Sequence, residues 1–328
     1  MNRLQELLGK FKNLQVVVFG DFVADAFVYG EISRISREAP VLVLQHRETQ
    51  IVPGGGANAV HNLRTLGAIP LPVGIVGDDP EGRHMIDFFN RLGIPTGGIR
   101  VAKSYRTPTK TRILAGAVHS HRQQIVRIDS GGPVESTNER AFLERKLKSL
   151  MPRARALLVS DYGYGSISPE LLKHAVRKGV PSTLDSRFSL SSFAGLTAAT
   201  PNESEVEAAL GITIGSDMDK LEWAGRKLLR QLRHDAVLIT RGKDGMALFE
   251  RAKKTEHIPI FGSDEIADVT GAGDTVIATF TLALAAGGTF REAAHLANYA
   301  GGIVVMKHGT RPVLYEELWE AVKVGRSE

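Results

Sequence analysis

The sequence predicts an α/β protein with a mostly parallel sheet covered by helices on both faces, together with a small β lid. Two observations carry this. Short apolar runs that read as strands alternate with helical patterns, and two segments break the alternation with β-type patterning alone. In chain order, Leu4, Leu7, Leu8 and Phe11 fall at helical spacing, so the N-terminus is expected to dock as an amphipathic helix. Val16 to Phe19, Pro72 to Val76, Ala156 to Ser160, Ser182 to Asp185, Ala198 to Thr200 and Ala236 to Thr240 read as strands. Asp79 to Leu92, Glu139 to Leu150, Ser168 to Lys178, Glu203 to Leu210 and Met218 to Leu232 read as the helices between them. The segments 28–51 and 99–128 lack a helix, and Val41 to Leu44 and Lys110 to Leu114 read as paired strands of an inserted lid. No repeat, low-complexity tract or linker interrupts the chain, so residues 1–328 are expected to form a single domain carrying that lid.

Composition narrows the function. With 328 residues, 43% of them hydrophobic, the chain can bury a full core. It has no cysteine, which excludes disulfides and thiolate chemistry and fits a reducing compartment. No uninterrupted apolar run approaches the roughly 20 residues of a membrane span. Arg3, Glu6, Lys10 and Lys12 break any secretion-signal core, so the expected location is cytoplasmic, without a membrane partner. The net charge of +5 comes from scattered basic residues without aromatic interleaving, so no nucleic-acid partner is expected. A solvated surface that attracts phosphorylated substrates accounts for it.

The most informative run is Asp268-Val-Thr-Gly-Ala-Gly-Asp274, followed by an apolar stretch from Thr275 to Ala286. The small residues let the backbone amides of Gly271, Ala272 and Gly273 converge on an anion, and the helix that follows adds the positive end of its dipole. Asp274 places a carboxylate at that corner. A base beside an anion cradle is what phosphoryl transfer to a hydroxyl requires. The same run would also serve as an ordinary glycine-rich helix entry. A second segment, Pro53-Gly-Gly-Gly-Ala-Asn-Ala59, leads into a short helix; its glycines permit close approach of a ligand, and Asn58 offers a donor and an acceptor.

With these two segments the chain resembles the PfkB/ribokinase family of carbohydrate kinases. Gly54, Gly55, Gly56, Asn58, Gly67 and Gly77 carry the first family signature, and Asp268 to Asp274 the second. Val60 and Thr279 stand where smaller residues are usual. The strand Val16 to Gly20 leads to Asp25, Thr200-Pro201 precedes Asn202-Glu-Ser-Glu205, and Val237 to Thr240 runs into Arg241-Gly-Lys-Asp-Gly245, all in the family's order. The resemblance implies a ribokinase-like three-layer sandwich with a β lid. It implies ATP as donor, Asp274 as general base, and Asp25, Gly54, Gly55 and Asn58 at the sugar. It places Asn202 and Glu205 near Mg²⁺ through its waters, and Thr240, Gly242, Gly245 and Asn298 near the nucleotide. Asp268 and Thr270 match positions that help hold a monovalent cation such as K⁺, although Asp268 reads equally as a cap. A homodimer through the lid is a further implication.

Within the family, Ser33 to Val41, Thr107 to Arg112, Arg122 to Asp129 and Asp161-Tyr-Gly-Tyr-Gly165 are similar to the kinase half of bifunctional ADP-heptose synthases. That resemblance implies transfer to the anomeric hydroxyl of a heptose 7-phosphate. Tyr164 and Asp185 to Phe188 depart from the Lys- and Gly-containing versions. A sugar phosphate calls for cations, and Arg34, Arg37, Lys110, Arg112 and Arg122 all lie in the lid segments; Arg34, Lys110 and Arg122 are the expected phosphate contacts. His119 and His121 have no third ligand pattern and read as exposed. Another sugar, such as ribose or fructose, is the alternative acceptor. No His-x-Gly-His type signature follows Gly309, so only the kinase step is expected.

Two other classes compete. Gly54-x-Gly56-x-x-Ala59 matches a loose dinucleotide fingerprint, which would suit an NAD-dependent oxidoreductase, but it does not follow the first strand. A non-catalytic sugar-binding protein would not need Asp274, Asn202 and Glu205 together. No Gly-x-x-x-x-Gly-Lys-Ser/Thr run occurs, which excludes a P-loop.

Overall fold

In the computed structural model, which describes residues 2–116, 123–262, 268–307 and 309–325, the first helix is α1 (Arg3–Gly9). Asn2 caps it, and Leu7, Leu8 and Phe11 are fully buried, as their spacing predicts. β1 (Gln15–Gly20) follows, then two long strands, β2 (Phe22–Ile35) and β3 (Leu42–Gly55). α2 (Gly56–Thr65), β4 (Ile69–Gly77), α3 (Pro80–Arg91) and β5 (Ile99–Ala102) lead to a second strand pair, β6 (Thr109–Gly116) and β7 (Gln123–Ser130). Alternation then takes over with α4 (Thr137–Leu150), β8 (Ala156–Asp161), α5 (Pro169–Leu172), β9 (Ser182–Ser186) and β10 (Ala198–Ala199). It continues through α6 (Glu203–Leu210), α7 (Met218–Leu232) and β11 (Ala236–Thr240) to the hairpin β12 (Met246–Glu250) and β13 (Glu256–Ile258). Three helices complete the order: α8 (Ala272–Ala285), α9 (Phe290–Val305) and α10 (Tyr315–Val324).

A 9-stranded sheet runs β13-β12-β11-β10-β9-β8-β1-β4-β5, parallel except for the β12–β13 edge. β1 shows why its sequence is an unbroken apolar run. Val16 and Val18 point into the core under α2, α8 and α9, whereas Val17 and Phe19 point into the core under α4 and α7. The result is the ribokinase-like α/β sandwich. Pro70 and Pro72 sit in β4 without breaking it. The Gly74 amide is directed to Gly98 O on the β5 side, so the prolines lie on that same side before β5 begins.

The second sheet has 4 strands in the order β3-β2-β6-β7. It corrects three sequence expectations. Val41 to Leu44 and Lys110 to Leu114 are not neighbours, because β2 lies between them, antiparallel to β3 and parallel to β6. β5, inside the segment expected to build the lid, pairs with β4 at the edge of the large sheet. The small sheet begins already at Phe22, ahead of the expected boundary at residue 28, so Asp25 is one of its strand residues. Elsewhere, the helix expected from Ser168 to Lys178 is regular only over Pro169–Leu172, and Gly179 closes the segment at φ 80°. No described helix is long and apolar enough to cross a membrane.

Candidate active site

The site lies where the carboxyl ends of β8, β9 and β11 meet the N-terminus of α8 and the near end of the small sheet. Gly271 makes the entry to α8 possible. Its φ of 79° is left-handed, and an added Cβ would lie 2.6 Å from Asn58 Nδ2, so the turn packs against α2 only with glycine there. Gly54 is needed for a different reason: a Cβ on it would collide with the Asp25 carboxylate. The Ala272 amide donates to Val269 O at 3.2 Å, so this member of the expected amide trio is used inside the turn. Gly273 is exposed at the positive end of the helix and borders both cavities described below.

Asp274, in the first turn of α8, is only 3% exposed. Asn58 Nδ2 donates to its Oδ2 at 2.9 Å and the Tyr162 hydroxyl donates to its Oδ1 at 2.9 Å. Burial pushes its carboxyl up to about 7; the Asn58 and Tyr162 hydrogen bonds oppose this, Asp25 adds to it, and Lys110 opposes it. Asp25 is buried as well, and Arg112 Nη1 sits 2.6 Å from its Oδ1. Lys110 Nζ lies 4.6 Å from the Tyr162 ring centroid. Burial and then Arg187 lower the Lys110 ammonium, against the pull of Asp25 and Asp274. Burial also raises Asp185 well above the carboxylate range, with Glu205, Asp274 and Asp161 adding to it.

Two cavities meet at Gly273. The polar one, of about 380 Å³, is lined by Asp25, Lys110, Arg112, Tyr162, Arg187 and Asp274, with Gly55, Glu205, Thr270 and Gly271 also on its wall. The apolar one, of about 300 Å³, is lined by Gly242, Gly245, Met246, Ile260, Ala272 and Asn298. Asn202, Thr240 and Val269 border both. Gly54 and Asn58 stand behind the polar cavity as buttresses. Asn298 also donates from Nδ2 to Pro259 O at 2.9 Å, which ties the loop after β13 to α9.

Some expected residues also hold the local fold, and one lies away from the cavities. Asn202 and Glu205 form a capping box at the start of α6. Asn202 Oδ1 accepts from the Glu205 amide at 2.9 Å, and Glu205 Oε2 accepts from the Asn202 amide at 2.8 Å. Asp268 accepts from the Thr270 amide at 2.8 Å and from the Gly309 amide at 3.2 Å, so it staples the turn. Arg34 is exposed on the far part of β2, pairing in register with Val43, and lines neither cavity. Arg122, His119 and His121 lie outside the described residues. Among the described residues no group of three or more His, Cys, Asp or Glu side chains is arranged to hold a metal ion.

Four site residues lie in runs noted in the sequence but were not singled out as site residues: Tyr162, Arg127, Asp185 and Arg187. Arg112 was counted only among the lid cations. Tyr162 and Asp185 had a signal, since both stand at the carboxyl end of a parallel strand, where such sheets place their sites. Arg127 lies in the run Arg122 to Asp129 that carries the heptose-kinase resemblance.

The pfkB family carbohydrate kinase family matches residues 13–317. The bifunctional protein HldE of Paramagnetospirillum magneticum is 40% identical over 326 residues, covering 97% of this chain and 65% of that protein. HldE of Coxiella burnetii is 38% identical over 315 residues, covering 95% of this chain and 64% of that protein. The chain thus spans just under two-thirds of the length of these relatives. Among solved structures, Arabidopsis thaliana ribokinase complexed with ribose and ATP matches with a TM-score of 0.73 at 21% identity, covering 95% of this chain and 99% of that one. Escherichia coli phosphofructokinase-2 in complex with potassium matches with a TM-score of 0.77 at 17% identity, covering 96% of this chain and 100% of that one. These two share the fold, and the chain belongs to the pfkB family of carbohydrate kinases.

Proposed function

We propose that the chain transfers the γ-phosphoryl group of ATP to a hydroxyl of a phosphorylated sugar, with Asp274 as general base, and that the acceptor is the anomeric hydroxyl of a heptose 7-phosphate. The observation that carries this is the meeting of two cavities at the entry to α8, one apolar and one rich in cations, with the Asp274 carboxylate in the wall of the second. The apolar cavity suits an adenine, with Gly242 and Gly245 letting the nucleotide approach the backbone. Asp25 holds sugar hydroxyls in the polar cavity. The acceptor's O–H gives its proton to Asp274 while its oxygen bonds to the γ-phosphorus and the bond to the β-phosphate oxygen breaks, releasing ADP. The Gly273 amide and the α8 dipole stabilise the charge on the transferring group.

Lys110, Arg112, Arg127 and Arg187 line the same cavity against Asp25, Asp185, Glu205 and Asp274, and burial pushes the last three carboxyls towards their neutral forms, which leaves net positive charge. A substrate phosphate would balance that charge, and this supports a sugar phosphate over a free sugar. The HldE relatives support the heptose reading. Glu205 fits a hydrated Mg²⁺: burial raises its carboxyl, and the capping box takes one oxygen, leaving the other for the ion's water shell. Mg²⁺ would neutralise the phosphates and orient them. Asp268 already has both oxygens bonded to amides, so potassium dependence is the measurement that would give Asp268 and Thr270 a second role. Exposed Ile35, Val41, Leu42, Val126 and Ile128 on the small sheet fit a homodimer through this lid.

A panel of sugars and sugar phosphates with ATP–Mg²⁺, read by ADP release, tests the substrate. Heptose 7-phosphate should exceed ribose, fructose and free hexoses in kcat/KM; faster turnover of ribose or fructose would overturn the heptose assignment and leave the kinase chemistry standing. Sedimentation of the wild type against Ile128→Lys tests the dimer, which the charge should split.

A further inference from the structure

The loop after β8 delivers a side chain to the carboxylate that the reading above makes the base. Tyr162 donates its hydroxyl to Asp274 Oδ1 at 2.9 Å, opposite the Asn58 amide on Oδ2, so both carboxylate oxygens are held and the plane of the group is set. The loop cannot drift, because Asp21, fully buried, accepts from the backbone amides of Tyr162 at 2.9 Å, Tyr164 at 3.0 Å and Ser166 at 3.1 Å. The Tyr162 ring has a second contact. It rests on the bare face of Gly55, where an added Cβ would come within 3.1 Å of the ring, and Lys110 Nζ lies over the ring at 4.6 Å from its centroid.

We propose that Tyr162 is a positioning residue for the transfer: its hydroxyl orients Asp274 and keeps it ionised, and its ring sets the place of Lys110. The proposal rests on Asp274 being the base. The groups that face Asp274 are Asp25 from β2, Asn58 from α2, Lys110 from β6, Tyr162 from the loop after β8, and Asp185 from β9. Burial, Asp25 and Asp185 favour the protonated carboxyl, whereas Asn58, Tyr162 and Lys110 favour the carboxylate. Removing the Tyr162 hydroxyl deletes one of three groups on the ionised side. The acid limb of the rate profile, where protonated Asp274 is inactive, must then move to higher pH. Phenylalanine keeps the ring, so it separates the two roles.

The experiment compares Tyr162→Phe, Tyr162→Leu and Asp274→Asn with the wild type as full chains, using ATP–Mg²⁺ and the fastest acceptor of the sugar panel, across pH. In Tyr162→Phe, kcat at neutral pH should fall roughly tenfold, the scale of one hydrogen bond to a charged group. Its KM for ATP should stay put, its acid limb should shift upward, and the deficit should narrow as pH rises. Tyr162→Leu should add a several-fold rise in acceptor KM through the loss of the Lys110 platform, on the scale of about one cation–π contact. A Tyr162→Phe profile with an unmoved acid limb and a kcat within about twofold of wild type would overturn the proposal, since a single charged hydrogen bond is worth more than that. If Asp274→Asn is inactive in that case, only the role of Tyr162 is lost. If Asp274→Asn itself keeps more than about a third of the rate, the base assignment is wrong and the proposal falls with it.

Discussion

The pairing of α2 with α8 and the four-stranded sheet contribute opposite kinds of residue to one site. Val60, Leu63, Ile277 and Phe280 are fully buried around the α2–α8 contact, and Asn58, Asn62, Asp274 and Thr275 form a hydrogen-bonded seam inside it. The small sheet is the reverse: β7 is exposed from Gln123 to Asp129, and β3 is exposed from Gln45 to Gln50. Chemistry that tolerates little displacement is held in the packed seam. Under the proposed function, selectivity for the acceptor depends on Asp25, Lys110 and Arg112, which sit where the exposed sheet meets the body. On that reading the base and the acceptor pocket are built from different layers of the fold.

Substitutions should separate the two regions, beginning in the seam. Asp274→Asn keeps the size of the side chain but cannot take the hydroxyl proton, so turnover should fall about 10²–10⁴-fold. ATP should still bind, which calorimetry with ATP–Mg²⁺ would show; loss of binding together with rate would mean that the seam itself had collapsed.

On the sheet side, Arg112→Ala leaves the buried Asp25 without its 2.6 Å partner and removes one cation from the cavity. Acceptor KM should rise about ten- to a hundredfold, the scale of one buried charge-assisted contact, with ATP KM nearly unchanged. Arg34→Ala, on the exposed far part of the same sheet, should leave acceptor KM within about twofold, as surface changes usually do. Equal effects in the two variants would erase the distinction drawn here between the near and far ends of the sheet.

Gly271→Ala tests how tightly the seam is specified. The φ of 79° and the clash with Asn58 should cost about 1–3 kcal/mol in urea unfolding, with a loss of rate. A neutral result would show that α2 and α8 can move apart without consequence.

The smallest expected effect concerns pH and stability. Burial raises Asp274 from its ordinary value to about 7 in the fold, so the folded state favours the protonated group. Its contribution is intact below the unfolded value near 3.8 and is lost as pH rises through about 7. Asp274→Asn carries no such titration, so its unfolding free energy relative to wild type should climb between about pH 4 and 7, by an amount on the order of 2 kcal/mol. A flat difference across that range would mean that Asp274 is ionised at low pH in the fold.

The strand–helix alternation was legible without any structure because a strand of period two and a helix of period 3.6 leave their marks within a few residues of chain. The same holds for the glycine turn before α8, since the residues that make it are contiguous. The capping box of Asn202 and Glu205 at the start of α6 is equally local, since its two members stand three positions apart. Contacts between distant segments were not legible. Asn58 and Asp274 are 216 positions apart, and Tyr162 and Asp274 are 112 apart. Charge alone could not choose Arg112 over Arg34, because both lie on strands of one sheet. Only the pairing of β2 with β6 decides that Arg112 meets Asp25 while Arg34 lies at the exposed end. The sequence by itself determined the kind of fold and the kind of chemistry, since both are written in local pattern; which cations line the polar cavity, and which hydroxyl bonds Asp274, were decided by strand order and register, which no local pattern contains.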